Sequence, residues 1–394
     1  MKKTNGSRKA SGNWLGVILY MLLGAACGGV IVHFMMPMED RGFLAFMGMF
    51  VCFMLMVYLA IMLQLVLHES GHLLFGLLTG YRFVSFRVFG WMLQKSGNGL
   101  RFCRFSLAGT GGQCLMAPPE GAPEQMPVML YHFGGATMNL LTALVSLGLS
   151  LALPGTSYLC LFLRLMAVTG LFFAFMNGVP LRMGPVDNDG RNALALSRST
   201  AARRAMWVQL MVNAQTARGI RLKDMPDAWF AKTAQEDPHN SMTATMEVLR
   251  CNRDMDRHAF READARMARC LEGDSDIPGL YRYLLVCDRM FVELLSGNRR
   301  EVLDAMQTSE QRRFMKAMER YPSVMRTDYA MALLSDRNAA KAAQIKARFA
   351  RIAQSYPYPG EIEAEKEYMQ MADDALRAEA VPREADANGK EQNI

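Results

Sequence analysis

The order of apolar and polar positions divides this chain before any single motif does. Uninterrupted apolar runs cover residues 14–36, 43–80, 128–153 and 158–180. Each is long enough to be read as a membrane helix, since about 20 apolar residues cross the roughly 30 Å of bilayer hydrocarbon. The second run is much longer than one crossing needs and too short for two crossings and a turn. It reads as one long, tilted helix that projects beyond the lipid. Between the second and third runs the period changes to two. YRFVSFRVFGW and LRFCRFSL flank Ser96-Gly97-Asn98-Gly99 and predict a β-hairpin within residues 81–117, lying against the membrane. Residues 109–117 read as a further strand, and 118–127 as a Pro-rich connector. Pro180 lacks the N–H that would continue the fourth helix.

From Arg191 onward the pattern changes again. Apolar residues recur every three or four positions in 242–273, 277–297, 309–321 and 338–356. Successive helical hairpins of this kind resemble tetratricopeptide repeats, although the repeat period is degenerate. The reading is therefore an α-helical polytopic membrane protein with about four transmembrane helices and a membrane-apposed β-hairpin, followed by a soluble all-α, TPR-like domain. Its domains are residues 1–195 and 196–378, and 379–394 form a polar tail expected to be disordered.

Charge refines this picture. The net charge of +7 comes without any aromatic-interleaved basic patch, so nucleic acid is not expected as a partner. Lys2, Lys3, Arg8 and Lys9 precede the first run, and Arg82, Arg87, Lys95, Arg101 and Arg104 follow the second. Basic residues mark cytoplasmic segments, so both termini are expected in the cytoplasm and residues 37–41 outside, in a multi-pass cell-membrane protein. A cleaved signal peptide fits less well, because no clean small-residue cleavage site precedes a polar mature sequence. The eight cysteines form no C-x-x-C pair, which argues against a disulfide framework. The 33 methionines read as flexible apolar filler.

Within the second apolar run stands His68-Glu69-Ser70-Gly71-His72. Residues i and i+4 share a helix face, so both imidazoles can reach one metal ion, with Glu69 beside them to handle protons. Packing these groups in an apolar run without a purpose would carry a large desolvation cost. Asp187 and Asp189 follow on the loop after the fourth run, and either carboxylate can turn back toward the histidines. Asn139, in the third run, is either helix glue or a substrate contact. His132 reads as an interfacial histidine.

These pieces resemble the site-2 protease family of intramembrane zinc metalloproteases over residues 56–192. The resemblance rests on His68-Glu69-x-x-His72, then Gly111-Gly112 after a hairpin, then Gly135-x-x-x-Asn139, and finally Asn177-x-x-Pro180 followed by Asp189-Gly190. It implies zinc held by His68, His72 and Asp189, with Glu69 as the base and Asn139 and Asn177 along the substrate path. Three departures stand out. Ala136 replaces a frequent proline, Asn188 replaces the usual leucine before Asp-Gly, and the gap from Pro180 to Asp189 is long, which keeps Asp187 in contention. No PDZ-like insertion is evident.

The expected activity is hydrolysis of peptide bonds in membrane-protein or peptide substrates, within or near the cytosolic leaflet. A protein partner is expected at the helical domain. A non-proteolytic membrane scaffold presenting the helical repeats is the alternative, but it would need neither the histidines nor Glu69. A transporter would be expected to carry an inverted repeat, which is missing here.

Overall fold

The structure is a computed structural model and describes residues 14–35, 42–97, 99–105, 111–155, 157–181 and 187–380. The basic segment before Trp14, the turn at 37–41 and residues 381–394 of the expected tail lie outside these. Residues 379–380, counted with the tail above, close the last helix.

Among the described residues, four helices are long and apolar enough to cross a membrane. They lie within α1 (Trp14–Met35), α2 (Phe43–Leu78), α3 (Met129–Leu151) and α4 (Tyr158–Gly178). At 1.5 Å per residue the 36 residues of α2 extend about 54 Å, well beyond one hydrocarbon core. Its first turns turn Phe43, Leu44 and Val51 outward, as a lipid-facing surface requires, and bury Phe53 and Ala60. Cys27, Ile31 and Phe34 of α1 and Leu161 and Leu165 of α4 join Phe53 in one apolar core. Lower down, α2 and α3 meet backbone to backbone. A Cβ added to Gly71 would lie 2.3 Å from the Gly134 carbonyl oxygen, so glycine alone allows this approach.

Four strands form one sheet in the order β3-β2-β1-β4, from β1 (Arg82–Val88), β2 (Trp91–Ser96), β3 (Gly99–Arg104) and β4 (Gly112–Ala117). This differs from a single hairpin about residues 96–99. The run at 81–91 breaks into two strands because Phe89 and Gly90 both adopt positive φ, 53° and 81°, closing a two-residue turn of the primed type. β1 pairs antiparallel with β2 on one side and with β4 on the other, with an irregularity between Phe83 and Ser85. β4 packs on α2, where Gly76 leaves room for the Met116 side chain.

After α4 come α5 (Asp189–Arg198) and α6 (Thr200–Ala217). The chain divides into two compact units within α6, at Met211/Val212. The sequence pattern places its domain boundary at 195/196. The second unit also takes in residues 103–105. Its helices are α7 (Asp227–Phe230), α8 (Ser241–Asp256), α9 (Phe260–Glu272), α10 (Gly279–Ser296), α11 (Arg300–Met306), α12 (Ser309–Ala317), α13 (Pro322–Ala330), α14 (Ala339–Ala353) and α15 (Pro359–Ala380). The apolar stretch 242–273, which has no break in periodicity, is divided into α8 and α9 at His258, which adopts a positive φ of 59°. One core joins Cys251, Met267, Leu285, Phe291, Met325 and Tyr368 from five of these helices. All eight cysteines are free thiols.

Candidate active site

Two adjacent turns of α2 carry His68 and His72, and both imidazoles are buried. Their ring orientations follow from their partners. His72 Nδ1 lies 2.8 Å from the Tyr131 carbonyl oxygen, which only accepts, so Nδ1 carries the proton. His68 Nδ1 lies 2.8 Å from Asn139 Oδ1. That amide is held in this orientation by its Nδ2, which donates both to the Gln64 carbonyl oxygen at 2.8 Å and to Gln64 Oε1 at 2.7 Å. His68 Nδ1 is therefore protonated as well. Both Nε2 atoms are left as bare lone pairs, and they face each other at 3.1 Å. A Cβ on Gly135 would come within 2.5 Å of the His68 ring, so this residue leaves the space in which the imidazole stands.

Asp189 completes the cluster. Its Oδ2 lies 3.1 Å from His68 Nε2 and 3.3 Å from His72 Nε2. Asp189 is the first residue of α5, and Asn188 sets where that helix begins. Asn188 Oδ1 accepts from the Arg191 and Leu181 N–H groups, and Nδ2 donates to the Met176 and Val179 carbonyls at 2.7 and 2.6 Å. The residue that departs from the family's leucine thus ties the end of α4 to the start of α5. Gly190 permits the same approach, since a Cβ there would meet the Gly178 carbonyl oxygen at 2.3 Å. Asp187 is engaged elsewhere, its Oδ1 paired with Arg191 Nε at 2.8 Å.

Three acceptor atoms within about 3 Å, with no donor among them, repel one another unless a cation lies between them. The donor set fits zinc, whose tetrahedral bonds of about 2.0–2.1 Å space ligand atoms roughly 3.3 Å apart. Among the described residues, His68, His72 and Asp189 form the one cluster of metal-ligating type found.

Glu69 is buried on the neighbouring face of α2, against β4. A Cβ on Gly112 would fall 2.6 Å from Glu69 Oε1. Asn139, expected along a substrate path, is fully buried, with its carbonyl on His68 and its amide on Gln64. Asn177 Nδ2 donates to the Phe173 carbonyl of its own helix. His132 is buried, with Nε2 against Met206 Sδ. The sequence reading passed over Gln64. The signal was present, since an amide stands in an apolar run one helical turn before His68 and on the same face.

A family model for Peptidase family M50 matches residues 56–316. The chain belongs to that family, the site-2 proteases, which are in general membrane-embedded zinc metalloproteases. No curated protein and no solved structure matches it.

Proposed function

We propose that the chain is an active intramembrane zinc metalloendopeptidase that hydrolyses peptide bonds of membrane-protein substrates within or near the cytosolic leaflet. The observation that carries this reading is the convergence of three lone-pair atoms, His68 Nε2, His72 Nε2 and Asp189 Oδ2, beside a buried carboxylate. Zinc bound by these residues supplies a Lewis acid for the scissile carbonyl and acidifies water. Glu69 accepts the proton of the attacking water on its carboxylate and returns it to the leaving amide nitrogen. Gly112 leaves room for that carboxylate. Tyr131 and Asn139 hold the two imidazoles in the tautomer that presents Nε2. Burial of His68, Glu69 and His72 keeps bulk water from competing for these contacts.

In the same reading the four apolar helices cross the cell membrane with both termini in the cytoplasm, and the second unit is a TPR-like array offering a surface to a protein partner or substrate. Its helices pack through apolar faces around one core, as repeat hairpins do. The test is Glu69→Gln, compared with wild type in cells by quantifying membrane-protein fragments. The variant is expected to keep zinc and lose cleavage by roughly 10²–10⁴-fold, the usual contribution of general-base catalysis. Cleavage near the wild-type rate would place the base elsewhere. Identical fragments in cells with and without the wild-type protein would remove the protease reading in favour of a scaffold.

A further inference from the structure

Gln64 is fully buried, where α2, α3 and α4 meet, and every polar atom of its side chain is engaged. Its Nε2 donates to the Met166 carbonyl of α4 at 2.9 Å. Its Oε1 accepts from Asn139 Nδ2 at 2.7 Å and from Thr142 Oγ1 at 3.3 Å. The second proton of Asn139 Nδ2 goes to the Gln64 backbone carbonyl. A chain of hydrogen bonds therefore runs from Met166 through Gln64 and Asn139 to His68 Nδ1. Its direction is fixed at both ends. The Met166 carbonyl only accepts, which forces the Gln64 amide, and that in turn forces the Asn139 amide.

We propose that Gln64 is a positioning residue for the metal centre, acting through Asn139 to fix the ring plane and tautomer of His68. The inference rests on the metal reading above. Asn139 without Gln64 would keep one backbone bond and could rotate about its terminal torsion, turning an N–H toward His68 Nδ1. His68 would then move its own proton to Nε2, and a protonated Nε2 cannot bind metal. Outer partners of ligating histidines typically change metal affinity by 10–100-fold. Gly170 shows that the site is built around this side chain, because a Cβ there would lie 2.6 Å from Gln64 Nε2. Thr142 is a secondary partner, since its hydroxyl also bonds the Met138 carbonyl of its own helix at 2.9 Å.

The test is a double-mutant cycle on zinc affinity, read by competition with a chromogenic chelator on full-length protein purified in detergent. Gln64→Leu keeps the bulk and removes both functional atoms. It is expected to weaken zinc binding by about 10–100-fold. In an Asn139→Ala background the same substitution is expected to change zinc affinity by less than about threefold, because the route to His68 is already cut. Thr142→Val, a conservative control, is expected to stay within about threefold of wild type. Equal effects of Gln64→Leu in both backgrounds would mean general loosening of the helices and overturn the proposal, as would unchanged affinity in the single variant. The histidine-ring ¹⁵N spectrum of the zinc-free protein is a second readout and does not depend on cleavage. The His68 signal is expected at the Nδ1–H tautomer in wild type and shifted toward Nε2–H in Gln64→Leu. An unshifted signal would also overturn the assignment. Failure of wild type to bind zinc would refute the function proposed above, and the spectrum alone would then decide the role of Gln64.

Discussion

The two units of this protein bury polar groups in opposite ways. In the second unit each buried guanidinium meets carboxylates. Arg250 pairs with Glu236 and Glu247, Arg253 with Asp227, and Arg326 with both Asp288 and Glu365 while lying over the Phe291 ring. Opposite charges answer one another there, and the pattern is that of a fold held in register. In the first unit the buried His68, His72, Glu69, Gln64 and Asn139 converge, together with the half-buried Asp189, on one spot in which acceptors face acceptors. Neutralised burial stabilises a fold, whereas burial left in need of a cation marks a site. Buried polarity alone does not distinguish the two cases, but the sign of the partners does.

The largest expected effect tests the second unit. Arg326→Ala leaves Asp288 and Glu365 buried without their cation, and removing one partner of a buried pair costs about 3–5 kcal/mol. Proteolytic susceptibility of the full-length variant measures this, and its zinc content is expected to match wild type. A loss of zinc without loss of stability would break the distinction between the two kinds of burial.

The same cluster sets a pH dependence. Burial pushes Glu365 up to about 7 despite Arg326, and Asp288 adds to the rise. Burial likewise pushes Glu361 up to about 7. Both carboxyls bind protons more tightly folded than unfolded. Their contribution is therefore complete below their unfolded value near 4.5 and is lost as pH rises through about 7. Urea unfolding of the second unit, followed by its helical signal in the full chain, is expected to show greater stability at pH 5.5 than at pH 7.5. The reverse slope would mean that the acids remain ionised in the fold.

A smaller effect sharpens the account of the first unit. Asn188→Ala removes a helix cap worth about 1 kcal/mol together with its two bonds to the end of α4. Because Asp189 is the next residue, zinc affinity is expected to fall about tenfold, at about 1.4 kcal/mol per decade. An effect of that size on stability with zinc affinity unchanged would show that Asp189 does not depend on the cap.

How far the sequence carried this reading depended on the reach of the interactions involved. The four apolar helices were legible because lipid imposes length and composition on each segment independently. The spacing of His68 and His72 was legible because a helix fixes i and i+4. The strand division at Phe89 was missed because it depends on two backbone torsions, and neither alters the alternation of side chains. Gln64 was missed for a different reason, and Asn139 was left open between helix glue and a substrate contact. Their meaning lies in partners more than 70 residues apart in the chain, and periodicity does not record them. Asn188 looked like a loss when set against the family's leucine. It is instead a local solution to the same task of fixing where α5 begins.

Which aspartate completes the metal centre is the central claim, and metal content tests it most directly. Zinc is to be measured per chain in detergent-purified wild type, Asp189→Ala and Asp187→Ala. Wild type is expected to hold about one zinc, completing a site of three protein ligands. Asp189→Ala is expected to lose it, because Oδ2 stands 3.1 and 3.3 Å from the two ligating nitrogens. Asp187→Ala is expected to retain it, because that carboxylate pairs with Arg191 and such partly exposed pairs contribute about 1 kcal/mol or less. Zinc retained by Asp189→Ala and lost from Asp187→Ala would contradict the account.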